Sequence, residues 1–273
     1  MKKNKSLLLI APYALFMVIF TLIPLGVVAY YALTDPTTGA FTLSNLRNLH
    51  LYLPTLGISV GYSVIAAIIC LILGYPVAYY IAHQGPVAQK ILYMLVMLPM
   101  CMSFLLRTLA WVGLLEANGI INQFLKLLGI GQLNMIGTPG AVILGMVYNY
   151  LPYMILPLYA IIVKIDNRLI EAAEDLGCTP VKVFSKVVLP LSMPGILSGI
   201  TMVFVPAVST FYISQKLGGT DTMLIGDVIE RQFKSAGNPN LGAALSLVLM
   251  LLVFICTGIM NRFGSDEEGG VVV

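Results

Sequence analysis

The hydropathy pattern of the chain consists of long apolar runs separated by polar segments of very different lengths. Each run holds about twenty residues, the length that a helix needs to cross roughly 30 Å of hydrocarbon. Segments of alternating hydrophobicity do not occur, and open strands would leave backbone groups unpaired in lipid, so helices are predicted rather than a barrel. The six predicted spans run approximately over Leu7–Leu33, Leu56–Ala82, Ile91–Leu115, Ala141–Val163, Leu191–Ser214 and Leu241–Met260.

Composition strengthens the membrane assignment. Of the 273 residues, 59% are hydrophobic and only 10% are charged, whereas a soluble domain carries about 25% charged residues. The predicted fold class is therefore an all-α polytopic membrane protein. We expect a single transmembrane domain over residues 1–263, followed by a mobile, glycine-rich tail at 264–273.

The distribution of basic residues predicts the orientation of the spans. With the N-terminus inside, the inner segments hold nine of the 15 Lys and Arg residues, the outer segments hold five, and Arg107 lies inside a span. This bias places both termini in the cytoplasm. The first span is too long for the core of a signal peptide, so we expect it to be retained. Because the basic residues follow the topology, they do not indicate nucleic-acid binding.

The inner segment at 164–190 is predicted to form two short amphipathic helices. Asp166 or Asn167 is a suitable N-cap, Gly177 supplies a left-handed stop, and Thr179 and Pro180 restart a helix that ends by Pro190. Neither helix is long enough to be stable alone, so each needs a partner surface. The first helix has an apolar face formed by Leu169, Ala172, Ala173 and Leu176 and a polar face formed by Arg168, Glu171, Glu174 and Asp175.

The sequence EAAEDLGCTPVKVFSKVVLP, at 171–190, resembles a known motif. Glu-Ala-Ala, the glycine that follows after three intervening residues and the final Leu-Pro are similar to the EAA loop, through which membrane subunits of ABC importers dock on their ATPases. Val187 departs from the isoleucine that is common in the family. Five further segments resemble the spermidine/putrescine permease branch: LGYPVAYYIA, SFLLRTLAW, NGIINQFLKLLG, TPGAVILGMVYNYLPYMILPLY and LGGTDTMLIGDVIERQF.

The resemblance implies a type I ABC-importer permease fold in a bacterial cytoplasmic membrane. It implies four partner polypeptides: a second homologous permease subunit, two copies of a cytoplasmic ATPase that use ATP and Mg²⁺, and an extracytoplasmic substrate-binding protein. The sequence lacks the phosphate-binding pattern GxxxxGK[ST]. We therefore expect this chain to bind no cofactor and to hydrolyse no ATP itself.

The resemblance also assigns an ATPase-docking role within the inner segment. Small residues permit close approach and Gly177 permits a sharp turn, so a movement of the ATPases would reach the spans as a rigid-body movement. The alternative is a helix that lies on the lipid headgroups. The predicted docking residues are Glu171, Ala172, Ala173, Leu176, Gly177, Phe184, Leu189 and Pro190.

Prolines inside the spans indicate where a substrate path could lie. Pro76, Pro99, Pro152, Pro157 and Pro206 are predicted to interrupt helices, which is tolerated where the freed backbone groups face a cavity or a neighbour. Aromatic faces can hold the ammonium groups of a polyamine without binding them too tightly. Ordinary helix packing, or an interfacial tyrosine belt, is the alternative. The path candidates are Tyr148, Asn149, Tyr153, Ser209 and Tyr212.

The spans contain no deep carboxylate, which argues against a permanent high-affinity cation site in this subunit. Arg107 would cost roughly 2.5 to 3.5 kcal/mol at the bilayer centre, so we expect it to serve a gate or a structural pair, for example with Glu116. Four acidic residues could steer a polycation or touch the binding protein, and solvated loop charges are the alternative. These outer-face candidates are Glu116, Asp221, Asp227 and Glu230.

The sequence leaves three alternative functions. The same architecture could import another solute, such as an amino acid, a sugar, iron or an anion. An ion-coupled secondary transporter is disfavoured because the spans lack buried carboxylates and the docking motif would have no purpose. A membrane enzyme is disfavoured most, because no nucleophile, metal cluster or paired carboxylates converge. No catalytic or metal-binding residues are predicted.

Overall fold

The computed structural model describes residues 12–13, 15–35, 38–129, 131–219, 222–234 and 237–268, with the backbone alone at 261 and 263–268. The described residues form helices and a single isolated β-bridge between Thr34 and Phe41, with no strand among them. A helical turn at Ser44–Arg47 and a 3-10 turn at Asn48–Tyr52 lead into α2. The labelled helices are α1 Leu15–Ala32, α2 Leu53–Ala82, α3 Pro86–Met97, α4 Phe104–Leu115, α5 Ile120–Leu127, α6 Pro139–Ile162, α7 Asn167–Asp175, α8 Pro180–Leu191, α9 Met193–Val208, α10 Tyr212–Leu217, α11 Ile225–Lys234 and α12 Pro239–Glu268.

The chain divides into two compact units, and the smaller comprises residues 1–54 and 228–253. Its core is formed by Ala32 of α1 with Ala243 and Ala244 of α12. The side chain of Asn240 donates hydrogen bonds to the backbone oxygen of Thr34 at 2.7 Å and to its hydroxyl at 3.2 Å. Asn45 donates to the same Thr34 carbonyl at 2.9 Å. The buried amides thus join the end of α1 to the start of α12.

The larger unit comprises residues 55–227 and 254–273, and α6 lies at its centre. Helix α9 packs along α6 at two glycines one turn apart. A Cβ atom at Gly195 would lie 3.1 Å from the Pro157 carbonyl oxygen, and one at Gly199 would lie 2.6 Å from the Met154 sulfur. The absence of side chains at these glycines lets the two backbones approach closely, as at many helix pairs in membranes.

The number of spans agrees with the hydropathy prediction. Five helical stretches among the described residues are long and apolar enough to cross a membrane, and one of them, Phe104–Leu127, combines α4 and α5. There are six if the bent pair α8 and α9 counts as one span. The two helices of this pair meet at Ser192 with a bend of 64°. The segment after α4 contains helix α5, whose Ile120, Phe124 and Leu127 side chains are exposed.

The third predicted span, Ile91–Leu115, is not one continuous helix. Helix α3 passes into a 3-10 turn at Leu98–Cys101, Met102 and Ser103 are not helical, and α4 begins at Phe104. Pro99 lies in the 3-10 turn, where its missing N–H weakens the helix. The predicted interruption at Pro99 is therefore confirmed.

The predicted interruptions at Pro76, Pro152 and Pro157 are wrong. Pro76 lies inside the continuous helix α2, and the other two prolines lie inside the continuous helix α6. Such prolines are tolerated where neighbouring helices support the backbone, and α9 packs closely against α6 at Pro157. In the fifth predicted span, α9 includes Pro206 and ends two residues later, and residues 209–211 separate α9 from α10.

The C-terminal helix is longer than the sequence indicated. Helix α12 extends to Glu268, into the segment predicted as a tail at 264–273, and residues 269–273 lie outside the described residues. The mobility of this tail and the single-domain assignment of residues 1–263 both remain predictions.

Candidate functional site

The segment at 164–190 is predicted to lie inside and to dock on the ATPases, and it is called the docking segment below. It has the local structure that its capping residues predict. The Asp166 side chain accepts a hydrogen bond from the backbone N–H of Arg168 at 3.0 Å, and α7 follows at once. The chain leaves α7 through Gly177 at φ +79°, and the Cys178 N–H donates to the Ala173 carbonyl at 3.1 Å. This is the glycine stop of a helix C-terminus, which only glycine adopts without strain.

The second helix of the docking segment begins at Pro180 after Thr179, as predicted, but it is less regular than an ordinary α-helix. Its middle is a π-turn at Phe184–Val188, and it ends at Leu191, one residue after the predicted end at Pro190. Single π-turns inside helices are rare and often occur at functional positions.

Most of the predicted docking residues are exposed in this chain. Leu176 is 86% exposed, its neighbour across the turn Val181 is 76% exposed, and Leu169 is 50% exposed. These three exposed apolar side chains on a polar segment are called the apolar patch below, and exposed apolar groups of this kind mark interaction surfaces. Glu171, Ala172, Gly177 and Pro190 are exposed as well, and Ala173 is partly buried.

Phe184 and Leu189 make their contacts inside the chain. The Phe184 ring packs edge-on against Tyr75 and Tyr79 of α2, with centroid distances of 5.5 and 6.1 Å, and Leu189 packs on the core. The Tyr75 hydroxyl also lies 2.8 Å from the Ser192 hydroxyl, at the bend before α9. These contacts connect the docking segment to α2 and to the start of α9.

Four aromatic rings meet around the two helix breaks, and we call them the aromatic cluster: Phe104, Tyr150, Tyr153 and Tyr212. Phe104 is 6.5 Å from Tyr150 and 6.3 Å from Tyr212, and Tyr150 is 6.3 Å from Tyr153 between centroids. Tyr150 lies halfway along α6, about 16 Å from either end at 1.5 Å per residue. Phe104 and Tyr212 are the first residues of α4 and α10 after the breaks. The cluster therefore lies near the middle of α6, beside irregular backbone.

The path candidates do not all belong to this cluster. Tyr153 and Tyr212 do, whereas Tyr148 packs against Trp111 at 5.3 Å. The exposed Ser209 hydroxyl donates to the carbonyls of Val205 and Pro206, at the end of α9. Phe104 was not predicted as a site residue, although its position just after the predicted interruption at Pro99 could have indicated one.

Asn149 is a residue of α6 and is 1% exposed. Its Nδ2 donates to the Gly145 carbonyl at 2.9 Å, and its Oδ1 has no hydrogen-bond partner among the described residues. A Cβ atom at Gly145, one turn earlier, would lie 2.5 Å from a Leu217 methyl carbon and 2.9 Å from an Ile213 one. Asn149 therefore faces the α10 side of α6.

Arg107 does not form the predicted pair with Glu116. Its side chain is 5% exposed, its Nε and Nη1 atoms have no hydrogen-bond partner in the described chain, and Glu116 is exposed. Arg107 lies within electrostatic range of the Tyr150 hydroxyl. A buried guanidinium thus places a fixed positive charge beside the aromatic cluster.

The four acidic candidates lie in different environments. Glu116 is exposed at the end of α4. Glu230 forms a salt bridge with Lys234, whose Nζ atom lies 2.7 Å from the Glu230 Oε1 atom. Asp227 is 5% exposed, and its Oδ2 accepts a hydrogen bond from the Leu224 N–H at 2.9 Å, so it stabilises the first turn of α11. Asp221 lies outside the described residues.

Membrane-length helices, breaks in the helices beside the aromatic cluster and an exposed amphipathic segment at 164–190 are features of a membrane transport subunit. The model of the family described as "Binding-protein-dependent transport system inner membrane component" matches residues 71–265. The chain belongs to this family. The all-α permease fold and the membrane assignment are thereby confirmed.

Known permease proteins are similar to the chain over most of its length. It is 40% identical to the spermidine/putrescine transport system permease protein PotB of Haemophilus influenzae, with 88% of each chain covered. It is 38% identical to PotB of Escherichia coli, over 78% of this chain and 79% of the relative. The inner membrane ABC transporter permease protein YdcU of Escherichia coli is 31% identical, over 96% of this chain and 90% of the relative.

Solved structures share the fold. A chain of a bacterial ABC transporter that imports the acidic polysaccharide alginate matches with a TM-score of 0.81 and 16% identity, over 96% of both chains. A chain of the MetNI methionine ABC transporter, in an inward-facing conformation, matches with a TM-score of 0.60 and 16% identity, over 80% of this chain and 96% of that one. At this identity the match defines the fold, which is that of ABC-importer permeases.

Proposed function

We propose that this chain is a membrane-spanning subunit of an ATP-driven importer that takes up spermidine and putrescine across a bacterial cytoplasmic membrane. The observation that carries the substrate class is the 38–40% identity to PotB proteins over most of the chain. The position of the aromatic cluster supports it, because aromatic faces attract ammonium groups. The cluster lies beside broken helices and near the middle of α6, and transporters commonly bind substrate beside broken helices near the bilayer midplane.

The proposed assembly contains this chain, a second homologous permease subunit, two ATPase subunits that hydrolyse ATP with Mg²⁺, and an extracytoplasmic binding protein. One solved structure with the same fold is a complex of the alginate transporter with its periplasmic protein. The apolar patch formed by Leu169, Leu176 and Val181 supports docking on a soluble partner. Glu171 would make polar contacts at the edge of this interface.

Movement of the ATPases would reach the spans through side chains of this chain. Phe184 lies between the docking segment and the two tyrosines of α2, and Tyr75 is bonded to Ser192 at the 64° bend before α9. Packed interfaces of this kind transmit rigid-body displacement rather than absorbing it. A shift of the docking segment would therefore move α2 and α9 together.

The path itself would hold the substrate weakly. Cation–π contacts contribute about 0.5–2 kcal/mol each, and the fixed charge of Arg107 repels ammonium groups near the aromatic cluster. We propose that Arg107 acts as a gate that keeps the binding of a polyamine at the cluster weak and brief. Strong binding would remain with the extracytoplasmic protein, and the four acidic candidates would serve the approach of substrate or the docking of that protein.

The proposed topology has both termini in the cytoplasm. A C-terminal fusion to green fluorescent protein is expected to fluoresce, and the matching fusion to alkaline phosphatase is expected to be inactive, because the phosphatase needs export to fold. A phosphatase fusion at residue 129, in the predicted outer segment, is the positive control. Active phosphatase at the C-terminus would contradict the orientation.

ATP hydrolysis by the purified complete transporter in lipid nanodiscs tests the substrate proposal. The expected result is that binding protein loaded with spermidine or putrescine stimulates hydrolysis above the level with unloaded binding protein. Stimulation only by an amino acid, sugar, iron or anion complex would leave the architecture unchanged and contradict the proposed substrate.

A further inference from the structure

Lys216 places a primary ammonium group over a ring of the aromatic cluster. Its Nζ atom lies 5.9 Å from the centroid of Tyr212, one turn earlier in α10. This distance is within the range in which a ring face attracts a cation. The ring of Tyr212 is only partly buried and so remains accessible from outside the chain. The fold thus shows that this ring face can receive an alkylammonium group.

The side chain of lysine is chemically close to the proposed substrate. It consists of an ammonium group on four methylene carbons, which is the aminobutyl arm found in putrescine and at one end of spermidine. A group that suits the lysine arm on the Tyr212 ring therefore suits the same arm of a polyamine. Lys216 and the substrate would compete for one ring face.

We infer that the aromatic cluster receives one aminobutyl arm of the substrate at Tyr212, and that Lys216 is a tethered competitor that occupies this ring until substrate displaces it. The inference rests on the proposed polyamine transport and adds to it the position of the arm and a built-in competitor.

The geometry of the cluster gives the arm a place to lie. Tyr212 is 6.3 Å from Phe104, and Phe104 is 6.5 Å from Tyr150, whose neighbour Tyr153 is 6.3 Å further on. Tyr150 is 6% exposed, so the partly buried rings of Phe104, Tyr153 and Tyr212 would offer the aromatic surface for the methylene chain and its ammonium end. The buried Oδ1 of Asn149, on the α10 side of α6, is an acceptor that is not used within the described residues.

Tethering makes the competition effective although the contact is weak. A side chain linked to the site acts at an effective concentration in the millimolar range, and an exposed cation–π contact is strong enough to change an affinity about two- to fivefold. Because substrate must displace the Lys216 ammonium from the ring, the KM for substrate would be higher by this factor than in a transporter without Lys216. The ammonium of Lys216 is itself exposed to solvent, so its release leaves no buried charge.

Initial rates of radiolabelled spermidine uptake by the complete transporter test the inference. Lys216→Gln is expected to lower the KM about two- to fivefold with the maximal rate unchanged, and Lys216→Arg is expected to keep the wild-type KM. Lys126→Gln, which removes an exposed charge from α5, is the matched control and is expected to leave the KM unchanged. An unchanged KM in Lys216→Gln would overturn the inference.

A double-mutant cycle with Tyr212→Leu separates contact from general charge repulsion. If Lys216 competes through the ring, Lys216→Gln has no further effect on the KM in the Tyr212→Leu background. An equal decrease in both backgrounds would overturn the inference. A second measurement uses only the Lys216→Gln variant and the wild type. The decrease in KM caused by Lys216→Gln is expected to persist in 0.5 M salt, whereas an effect of long-range repulsion would be screened. Loss of this decrease in KM in 0.5 M salt would contradict direct competition on the Tyr212 ring.

These assays distinguish a failure of the Lys216 competitor from a failure of polyamine transport. If wild-type transporter takes up spermidine but the Lys216 variants do not differ, the tethered competitor is wrong and polyamine transport stands. If wild-type transporter shows no saturable uptake of spermidine, both are wrong.

Discussion

Replacing Gly177 with aspartate is expected to reduce polyamine uptake to background while the protein still inserts in the membrane. Gly177 has φ +79°, and an L-residue in this conformation costs roughly 1–2 kcal/mol. The space beside it is open, because a Cβ atom there would have no described atom of the chain within 4 Å. The added carboxylate would therefore project from the docking segment into the surface proposed to meet the ATPase.

The matched control is Gly85→Asp, on the same predicted side of the membrane. Gly85 also has open space beside it within the described chain, but its φ is −64° and it is the N-cap of α3, where aspartate is favoured. Uptake by this variant is expected to be normal. Glu171→Lys, which reverses a charge in the docking segment, is expected to behave like Gly177→Asp. Normal uptake by both docking variants, at normal membrane levels, would contradict the docking role.

Replacing Gly199 with leucine is expected to prevent correct folding of the larger unit. A Cβ atom at Gly199 would lie 2.6 Å from the Met154 sulfur and 3.3 Å from the Met154 carbonyl oxygen. The sulfur can move, but the carbonyl belongs to the α6 backbone, so α9 would have to separate from α6. Overpacking of this kind costs about 1–3 kcal/mol and sometimes more.

Size-exclusion chromatography of detergent-solubilised protein measures this effect. Gly199→Leu is expected to give little monodisperse protein, Gly199→Ala an intermediate amount, and Gly258→Leu the wild-type amount. Gly258 is a suitable control because it is exposed on α12, with no described atom within 4 Å of its Cβ position. Wild-type recovery of Gly199→Leu would show that the α6–α9 packing does not limit stability.

Local signals made the docking segment the most predictable part of the molecule. Asp166, Gly177 and Pro180 act through the backbone of their immediate neighbours, so their positions are enough to place a cap, a stop and a restart. Span positions follow from hydropathy for a similar reason, because the length of an apolar run is set by the thickness of the bilayer.

Features that depend on neighbouring helices could not be predicted in this way. Pro152 and Pro157 lie in a continuous helix because other elements support it, while the break after Pro206 depends on the turn at 209–211. The exposure of a side chain is equally dependent on context. Phe184 packs on tyrosines that precede it by about a hundred residues, and Asp227 is buried instead of facing the outer solution.

The aromatic cluster shows the limit most clearly. Tyr148 and Tyr153 were equivalent candidates in the sequence, yet one packs on Trp111 and the other joins the ring contacts at the breaks. Phe104 joins them because it is the first residue of α4 after the break at 102–103. The partners of each ring are set by how α4, α6 and α10 pack, which periodicity along one helix does not record.

Uptake of radiolabelled spermidine by cells that express the complete transporter is the most direct test of polyamine import by this chain. We expect saturable, ATP-dependent uptake that unlabelled putrescine and spermidine inhibit and that amino acids and sugars do not affect. We expect this uptake to be lost in Gly177→Asp. Saturable ATP-dependent uptake of another solute, with spermidine neither transported nor competing, would contradict the proposed substrate.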